Sequence, residues 1–312
     1  MSGCKNKSEV SYENPYELYK MSKIYGITDS KSASNQSFFS SEKDLCVVDD
    51  INFGLEEVHS DVAVAAGTFN LETDEVTYAQ NIYDKMYPGS TTKIMTCYIA
   101  LKYGNPDDFV TVSKNAANQP SDASVCRISE GDIVSLRDLL YGLMLASGND
   151  AAIAIAEHIA GSEEAFVSLM NEEALSMGAS CTHFANCHGM PDGNHYTSAY
   201  DLYVIFKNAL EMDEFVNIIQ AANYTAIITD KNGKTVEREW SNSNRFLNGK
   251  ADKPEGINVI GGKTGTTQAA GYCLVMLSKN EQEQEIISVV LKAGGPSDLY
   301  LLTREILQEF NN

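Results

Sequence analysis

Ser90 and Lys93 have the residue types and the spacing for nucleophilic acyl transfer. A serine hydroxyl attacks a carbonyl effectively when a base takes its proton, and a lysine can be that base once burial favours its neutral amine. A turn-forming Tyr-Pro-Gly stretch at 87–89 precedes the serine, and a mostly apolar run of helical length follows it. Ser90 is therefore predicted to open a buried helix whose first turn brings Lys93 alongside it.

The Ser-x-x-Lys pattern is weak by itself, because it also occurs at 2–5 and 40–43 in polar, low-complexity sequence. The ordinary alternative for Ser90 and Lys93 is a helix-capping serine followed by a surface lysine. Their interpretation as a catalytic pair depends on two further motifs later in the chain.

The second motif is Ser147 and Asn149, with a glycine between them. An amphipathic run with helical spacing precedes it, and a second helical run follows at 151–160. Ser135 and Asp138 resemble a capping box that opens the first helix. The motif is therefore predicted to lie at a helix–helix junction, where the hydroxyl can relay a proton to a leaving amine and the amide can hold a substrate carbonyl. A helix-terminating turn is the alternative, for which a Gly-Asn pair is equally suited.

Lys263, Thr264 and Gly265 form the third motif, which lies between two stretches of β-forming residues. An edge strand that carries a cation and a hydroxyl suits a substrate carboxylate, and the glycine lets a ligand approach the backbone closely. The next amide, of Thr266, is a candidate oxyanion donor. A glycine-rich hairpin rim with a solvated lysine is the alternative.

Three such motifs in this order are typical of penicillin-binding proteins and class A β-lactamases. From about Asp61 to Phe310, the chain resembles the serine D-alanyl-D-alanine carboxypeptidases, the low-molecular-mass penicillin-binding proteins of peptidase family S11. At Gly89 the family more often has alanine. Beyond the motifs, the likeness extends to the segments 87–89, 182–196, 242–245 and 270–274.

The resemblance implies a catalytic role for three side chains. Ser90 would form the acyl-enzyme, Lys93 would be the general base, and Ser147 would shuttle the proton. The backbone N–H groups of Ser90 and Thr266 would form the oxyanion hole.

The resemblance also implies substrate contacts. Asn149 would position the substrate amide, Lys263 and Thr264 would bind the terminal carboxylate, and Gly265 and Thr266 would line the same site. The substrate of the family is the D-Ala-D-Ala end of a peptidoglycan stem peptide, from which the terminal D-Ala leaves, and β-lactam antibiotics acylate the same serine. Peptidoglycan maturation and cell shape are the implied processes, and no cofactor or metal is implied.

Two alternative functions stay open at this level. A β-lactamase shares the chemistry and the fold, but a class A enzyme needs a glutamate that activates the deacylating water. No Glu-x-x-x-Asn stretch is suitably placed between Asn149 and Lys263, and Glu172 and Glu173 belong to an apparent amphipathic helix. The second alternative is a penicillin-binding sensor or wall-binding protein that is acylated but barely turns over.

The composition excludes some other classes. A net charge of −20 over 312 residues argues against nucleic-acid binding, which needs a basic surface. No run of 18 apolar residues is present, so no membrane-spanning helix is predicted. Seven cysteines without regular spacing argue against a disulfide framework, and Cys97 and Cys273, in apolar runs, are predicted core residues.

A cluster of cysteines and histidines between residues 181 and 195 contains the residue types that bind zinc. Its spacing fits no common zinc finger, and the S11 resemblance explains the histidines better, so no metal is predicted. The cluster consists of Cys181, His183, Cys187, His188 and His195.

Residues 1–45 differ from the rest of the chain. The segment 30–42 is rich in Ser, Asn and Lys and is predicted to be a flexible tether. No signal peptide is visible, yet Ser-Gly-Cys at 2–4 resembles the end of a bacterial lipobox, at which Cys4 is lipidated after cleavage. We expect an extracytoplasmic lipoprotein held on the outer face of the cytoplasmic membrane, with an ordinary cytosolic start as the alternative. Many S11 enzymes continue into a small C-terminal β domain, which is not expected in this chain.

The predicted fold class is α/β of the α+β type, with the fold of penicillin-binding proteins and β-lactamases. It comprises an antiparallel sheet flanked by helices and an all-helical subdomain, with the site between them. The catalytic domain is predicted over 46–312, with the sheet region at about 46–89 and 224–312 and the helical region at about 90–220.

Overall fold

A computed structural model describes residues 45–311. The strands are β1 (Ala65–Asn70), β2 (Glu75–Gln80), β3 (Phe109–Thr111), β4 (Ile133–Ser135), β5 (Asn223–Thr229), β6 (Thr235–Ser241), β7 (Asn258–Thr267), β8 (Gly271–Lys279) and β9 (Glu285–Ala293). The helices are α1 (Lys93–Tyr103), α2 (Lys114–Ala117), α3 (Leu136–Leu145), α4 (Asn149–Ala160), α5 (Glu163–Ser176), α6 (Ala199–Leu210), α7 (Asp213–Gln220) and α8 (Pro296–Phe310).

The two ends of the described chain build one antiparallel sheet, as predicted. Its strand order is β2-β1-β9-β8-β7, and each neighbouring pair is antiparallel. Helices cover both faces, so β8 and β9 are buried almost continuously rather than at alternate residues. On one face α8 contributes Leu302 and Ile306 to the core. On the other, Tyr203 of α6 stacks on Phe69 of β1, with ring centroids 4.1 Å apart. The predicted fold class is confirmed.

A second sheet corrects the prediction that residues 90–220 are all helical. β3 and β4 lie inside that region and pair with β5 and β6 in the order β3-β4-β5-β6. The hairpin β5–β6 therefore belongs to this small sheet. The prediction that residues 224–312 all belong to the region of the large sheet is wrong for this hairpin. β3 and β4 have three residues each, which is too short for an alternating pattern to be recognised in a sequence.

α1 lies at the centre of the helical part of the fold. Every side chain from Lys93 to Ala100 is buried, and the helix packs against α3, α4, α5, α6 and α7. As far as Ala100 the helix has no solvent face, which explains why its sequence there is apolar nearly all round, and only its last turn reaches solvent. The packing also places Lys93 in a region from which water is excluded.

α3 begins where the sequence predicted. The Ser135 hydroxyl accepts a hydrogen bond from the Asp138 N–H at 3.0 Å, which satisfies one free donor at the helix start. The Asp138 carboxylate does not complete a capping box. It accepts the Tyr224 hydroxyl at 2.6 Å instead and so ties α3 to β5.

The tether and the lipidation site at Cys4 lie outside the described residues. Cys97 and Cys273 are fully buried, as predicted, and the six cysteines within 45–311 are free thiols. No helix in the described part of the chain has the length and apolar character needed to cross a membrane.

Candidate active site

Ser90 lies in a 3-10 turn, Gly89–Thr92, that leads directly into α1. The predicted helix start is confirmed, with this tighter turn as its first element. Gly89 has a φ of +54°, a left-handed conformation that glycine adopts without steric cost. Ser90 is half buried.

Lys93 is fully buried, and its amine contacts three oxygen atoms. Nζ lies 3.1 Å from Ser90 Oγ, 2.8 Å from Asn149 Oδ1 and 2.5 Å from the His188 carbonyl oxygen. The Asn149 and His188 oxygens are acceptors only. A neutral amine has two N–H bonds and one lone pair, so these two acceptors take both N–H bonds and leave the lone pair for the Ser90 proton.

Burial lowers the pKa of Lys93 to about 7, because the charged form loses its hydration in the core. The nearby Cys187, Cys126 and Asp150 act in the opposite direction and limit the shift. The neutral amine is therefore substantially populated near pH 7, which is what a general base requires.

Ser147 and Asn149 lie between α3 and α4, at the junction that the sequence predicted. Ser147 has a φ of +60°, which is costly for a residue with a Cβ and is typically retained at functional positions. A Cβ at Gly148 would lie 2.2 Å from Cys126 Sγ, so only glycine fits between the two polar residues. This geometry directs the Ser147 hydroxyl toward β7.

Lys263 on β7 meets that hydroxyl. Its side chain is 1% exposed, and Nζ donates to Ser147 Oγ at 3.0 Å and to the Thr264 carbonyl at 2.8 Å. Burial, and then the proximity of Lys93, hold the pKa of Lys263 well below its usual range. A carboxylate bound next to this amine would favour the charged form again.

Gly265 allows β7 to pass close to the 3-10 turn. A Cβ there would lie 2.9 Å from the Pro88 carbonyl oxygen and 3.0 Å from the Ser90 nitrogen. One residue further, the Thr266 nitrogen lies 3.4 Å from the position that a Cβ on Gly89 would occupy. The two candidate oxyanion donors, the N–H groups of Ser90 and Thr266, are therefore on adjoining backbone segments.

Two contacts in the site come from the segments 242–245 and 182–196, which the family likeness includes without giving Ser243 or His188 a role. The Ser243 hydroxyl lies 2.5 Å from Thr264 Oγ1, and the Ser243 N–H donates to the Leu145 carbonyl at 3.2 Å. The other contact is the backbone carbonyl of His188. A main-chain acceptor can belong to any residue type, so the sequence does not mark it.

The histidines of the 181–195 cluster have structural partners. His195 Nδ1 accepts the Ala185 N–H at 2.9 Å, so Nε2 carries the ring proton and donates it to Thr92 Oγ1 at 2.8 Å. Burial lowers the pKa of His195 to about 4, and burial and then Lys93 lower that of His188 to about 3. Both rings are therefore neutral. Among residues 45–311 no group of three or more His, Cys, Asp or Glu side chains is arranged to hold a metal ion.

The residues predicted for the site come together where α1, the α3–α4 junction and β7 meet. Ser90 and Ser147 each contact a buried lysine, and Asn149 contacts the lysine that faces Ser90. The sequence model of the family described as D-alanyl-D-alanine carboxypeptidase, Peptidase_S11, matches residues 54–295. The chain belongs to this family.

Relatives of known sequence and structure agree with this assignment. D-alanyl-D-alanine carboxypeptidase DacF of Bacillus subtilis is 34% identical over 242 residues, which are 76% of this chain and 59% of DacF. DacD of Escherichia coli is 34% identical over 246 residues, which are 76% of this chain and 60% of DacD. The crystal structure of the Streptomyces K15 DD-transpeptidase superposes with a TM-score of 0.73 at 31% identity, over 79% of this chain and 95% of that chain. The chain thus spans about three fifths of the two curated S11 relatives.

Proposed function

We propose that this S11 chain is a serine D,D-carboxypeptidase that removes the terminal D-Ala from peptidoglycan stem peptides. Lys93 takes the Ser90 proton as Oγ attacks the carbonyl of the penultimate D-Ala, and the N–H groups of Ser90 and Thr266 hold the oxyanion. The C–N bond breaks as Ser147 passes its hydroxyl proton to the leaving amine, and the proton that Lys93 took from Ser90 restores the Ser147 hydroxyl, so Lys93 is neutral again. Lys93 then takes a proton from the water that attacks the ester, and returns it to Ser90 Oγ as the acyl–oxygen bond breaks.

One observation carries this proposal, namely the set of contacts around the Lys93 amine. Two fixed acceptors leave its lone pair for Ser90 Oγ at 3.1 Å. Burial lowers the pKa of the amine to about 7, so a substantial fraction of it is neutral near pH 7. A surface lysine beside a capping serine, which was the ordinary alternative, would show neither property.

Substrate recognition rests on the groups around β7. Lys263 and Thr264 offer a cation and a hydroxyl for the terminal carboxylate, and Asn149 offers an amide for the peptide bond. Gly265 keeps the strand free of a side chain that would separate it from Ser90. A β-lactam carries a carboxylate near a reactive amide, so we propose that it binds here and acylates Ser90.

The proposal is tested with two assays on the same preparation. D-Ala release is measured from a stem-peptide mimic ending in D-Ala-D-Ala, and covalent labelling is measured with a fluorescent penicillin. Ser90→Ala is the control for both assays. Labelling together with D-Ala release supports the carboxypeptidase.

The other outcomes identify the two alternatives. Rapid penicillin hydrolysis without D-Ala release would indicate a β-lactamase. Stable labelling without peptide turnover would indicate a sensor or wall-binding protein.

We also propose that the protein acts outside the cytoplasm as a lipoprotein anchored through Cys4 and contributes to cell shape by trimming stem peptides. The Ser-Gly-Cys sequence at 2–4 and the extracytoplasmic location of peptidoglycan support this. The natural coding sequence upstream of Cys4 tests the anchor, since lack of a hydrophobic export segment there would contradict it. Microscopy of cells in which Ser90→Ala replaces the native enzyme tests the effect on shape.

A further inference from the structure

Glu163, the first residue of α5, contacts the segment that supports the catalytic lysine. Its Oε1 accepts the Cys187 N–H at 3.2 Å and the Cys187 thiol at 3.4 Å. The same oxygen faces His188 Nε2 at 3.5 Å. One carboxylate oxygen thus faces three donor groups of two consecutive residues, the N–H and the thiol of Cys187 and the ring of His188.

The His188 ring is oriented for this contact. Its Nδ1 accepts the Met190 N–H at 3.2 Å, so in the neutral ring the proton is on Nε2, the atom that points at Glu163. The His188 side chain is 14% exposed, so the ring is held in the fold and does not move freely in solvent.

The same residue supplies an acceptor to the catalytic base. The His188 carbonyl accepts a hydrogen bond from Lys93 Nζ at 2.5 Å. On the other side of the segment, Thr96 Oγ1 donates to the Cys187 carbonyl at 2.6 Å, and Asn186 Oδ1 accepts the Gly189 N–H at 2.7 Å. The carbonyl orientation therefore depends on contacts from α1 and from α5.

We propose that Glu163 is a positioning residue for Lys93, acting through the Cys187–His188 segment and the His188 carbonyl at its end. The inference rests on the proposed acyl transfer at Ser90. If the His188 carbonyl turns away, the Lys93 amine loses one of the two acceptors that direct its lone pair at Ser90 Oγ. The acylation step then slows, whereas the groups on β7 that bind the ligand stay in place.

The test separates binding from chemistry in the reaction with a fluorescent penicillin. Saturation kinetics give the dissociation constant of the non-covalent complex and the acylation rate constant. Glu163→Ala is expected to lower the acylation rate constant about tenfold, which is less than the roughly hundredfold that a 1 Å misplacement of a reacting group can cost, and to change the dissociation constant less than about twofold. Glu163→Gln keeps an acceptor oxygen and is expected to stay within threefold of the unsubstituted protein.

Glu164→Ala is the matched control, because Glu164 is an exposed acid in the same helical turn. It removes a similar charge from the helix N-terminus and is expected to leave both constants unchanged. Equal losses in Glu163→Ala and Glu164→Ala would overturn the proposal, as would a Glu163→Gln variant that is as slow as Glu163→Ala.

A double-mutant cycle with His188→Ala tests the route. If Glu163 acts through His188, the double variant is expected to be no slower than the slower single variant, because both substitutions release the same segment. Fully additive losses would contradict the route. Acylation by penicillin does not require peptide turnover, so the absence of D-Ala release would refute the proposed function without deciding the role of Glu163.

Discussion

Lys263 Nζ lies 3.0 Å from Ser147 Oγ, and this contact joins the edge strand of the large sheet to the junction between α3 and α4. The two residues are 116 positions apart in the chain. The contact brings the proposed proton shuttle and the proposed carboxylate-binding cation into one network. A substrate carboxylate that approaches Lys263 therefore arrives beside the group that protonates the leaving amine.

Lys93→Ala is expected to slow acylation of Ser90 by a factor of about 10² or more, the usual contribution of a general base. The variant removes a buried amine and leaves Ser90 in place, so non-covalent ligand binding is expected to change little. Stopped-flow measurement with a fluorescent penicillin checks this. Ser90→Ala, which should fold normally and show no covalent label, is the control. Labelling of Lys93→Ala at the unsubstituted rate would exclude the base role.

The acylation rate constant is expected to rise with pH through about 7, because burial lowers the pKa of Lys93 to about 7 and only the neutral amine takes the Ser90 proton. Below that pH the rate is expected to fall roughly tenfold per pH unit, as for a single titrating base. Measurements from about pH 5.5 to 10.5 cover this transition and the range in which an unshifted lysine would titrate. In Lys93→Ala this dependence should disappear. A rate that still rises steeply between pH 8.5 and 10.5 would indicate a lysine with an unshifted pKa.

The sequence predicted the parts of the site whose geometry is local. Ser90 and Lys93 are one helical turn apart, so their contact follows from spacing alone. Spacing alone does not predict that Ser147 and Lys263 lie close to Ser90 and Lys93. The order of the three motifs predicts this proximity, through the resemblance to the family. The fold class could also be predicted from the sequence, because long apolar stretches such as β8 and β9 are easily recognised in it.

What the sequence missed depends on backbone atoms or on very short elements. The His188 carbonyl is placed by contacts from Glu163, Thr96 and Asn186, which no motif connects. The strands β3 and β4 are too short to show a period. The Ser243 hydroxyl meets Thr264 only because the chain after β6 turns back toward β7, and this path is a tertiary property.

Ser243→Ala is expected to raise the KM for a D-Ala-D-Ala peptide about fivefold with little change in kcat, because it removes one hydroxyl next to the proposed carboxylate site. That loss corresponds to about 1 kcal/mol, the usual net value of one hydrogen bond. Steady-state kinetics with varied peptide concentration separate the two constants. Ser241→Ala, at an exposed position two residues earlier, is the matched control. An unchanged KM in Ser243→Ala would remove this hydroxyl from the substrate contacts.

Ser147→Gly and Ser147→Ala are expected to differ in stability although both lose the hydroxyl. The backbone there has a φ of +60°, which glycine tolerates and alanine does not, so the glycine variant should be more stable by about 1 kcal/mol. Both variants should turn over peptide slowly, since neither can pass a proton to the leaving amine. Denaturant unfolding measures the free-energy difference. Equal stabilities would show that this residue is not strained.

Gly265→Ala is expected to lower the acylation rate at least tenfold, because its methyl group would lie 2.9 Å from the Pro88 carbonyl oxygen and 3.0 Å from the Ser90 nitrogen. Neither atom can move without displacing the 3-10 turn, and a displacement of about 1 Å at a reacting group costs up to about a hundredfold in rate. Gly193→Ala is the matched control, because a Cβ there meets no atom within 4 Å. Thermal unfolding of both variants shows whether the loss arises at the site or from global destabilisation. If Gly265→Ala folds and is acylated as fast as Gly193→Ala, β7 tolerates a side chain beside Ser90. The oxyanion site would then not lie between β7 and the 3-10 turn, contrary to the proposal.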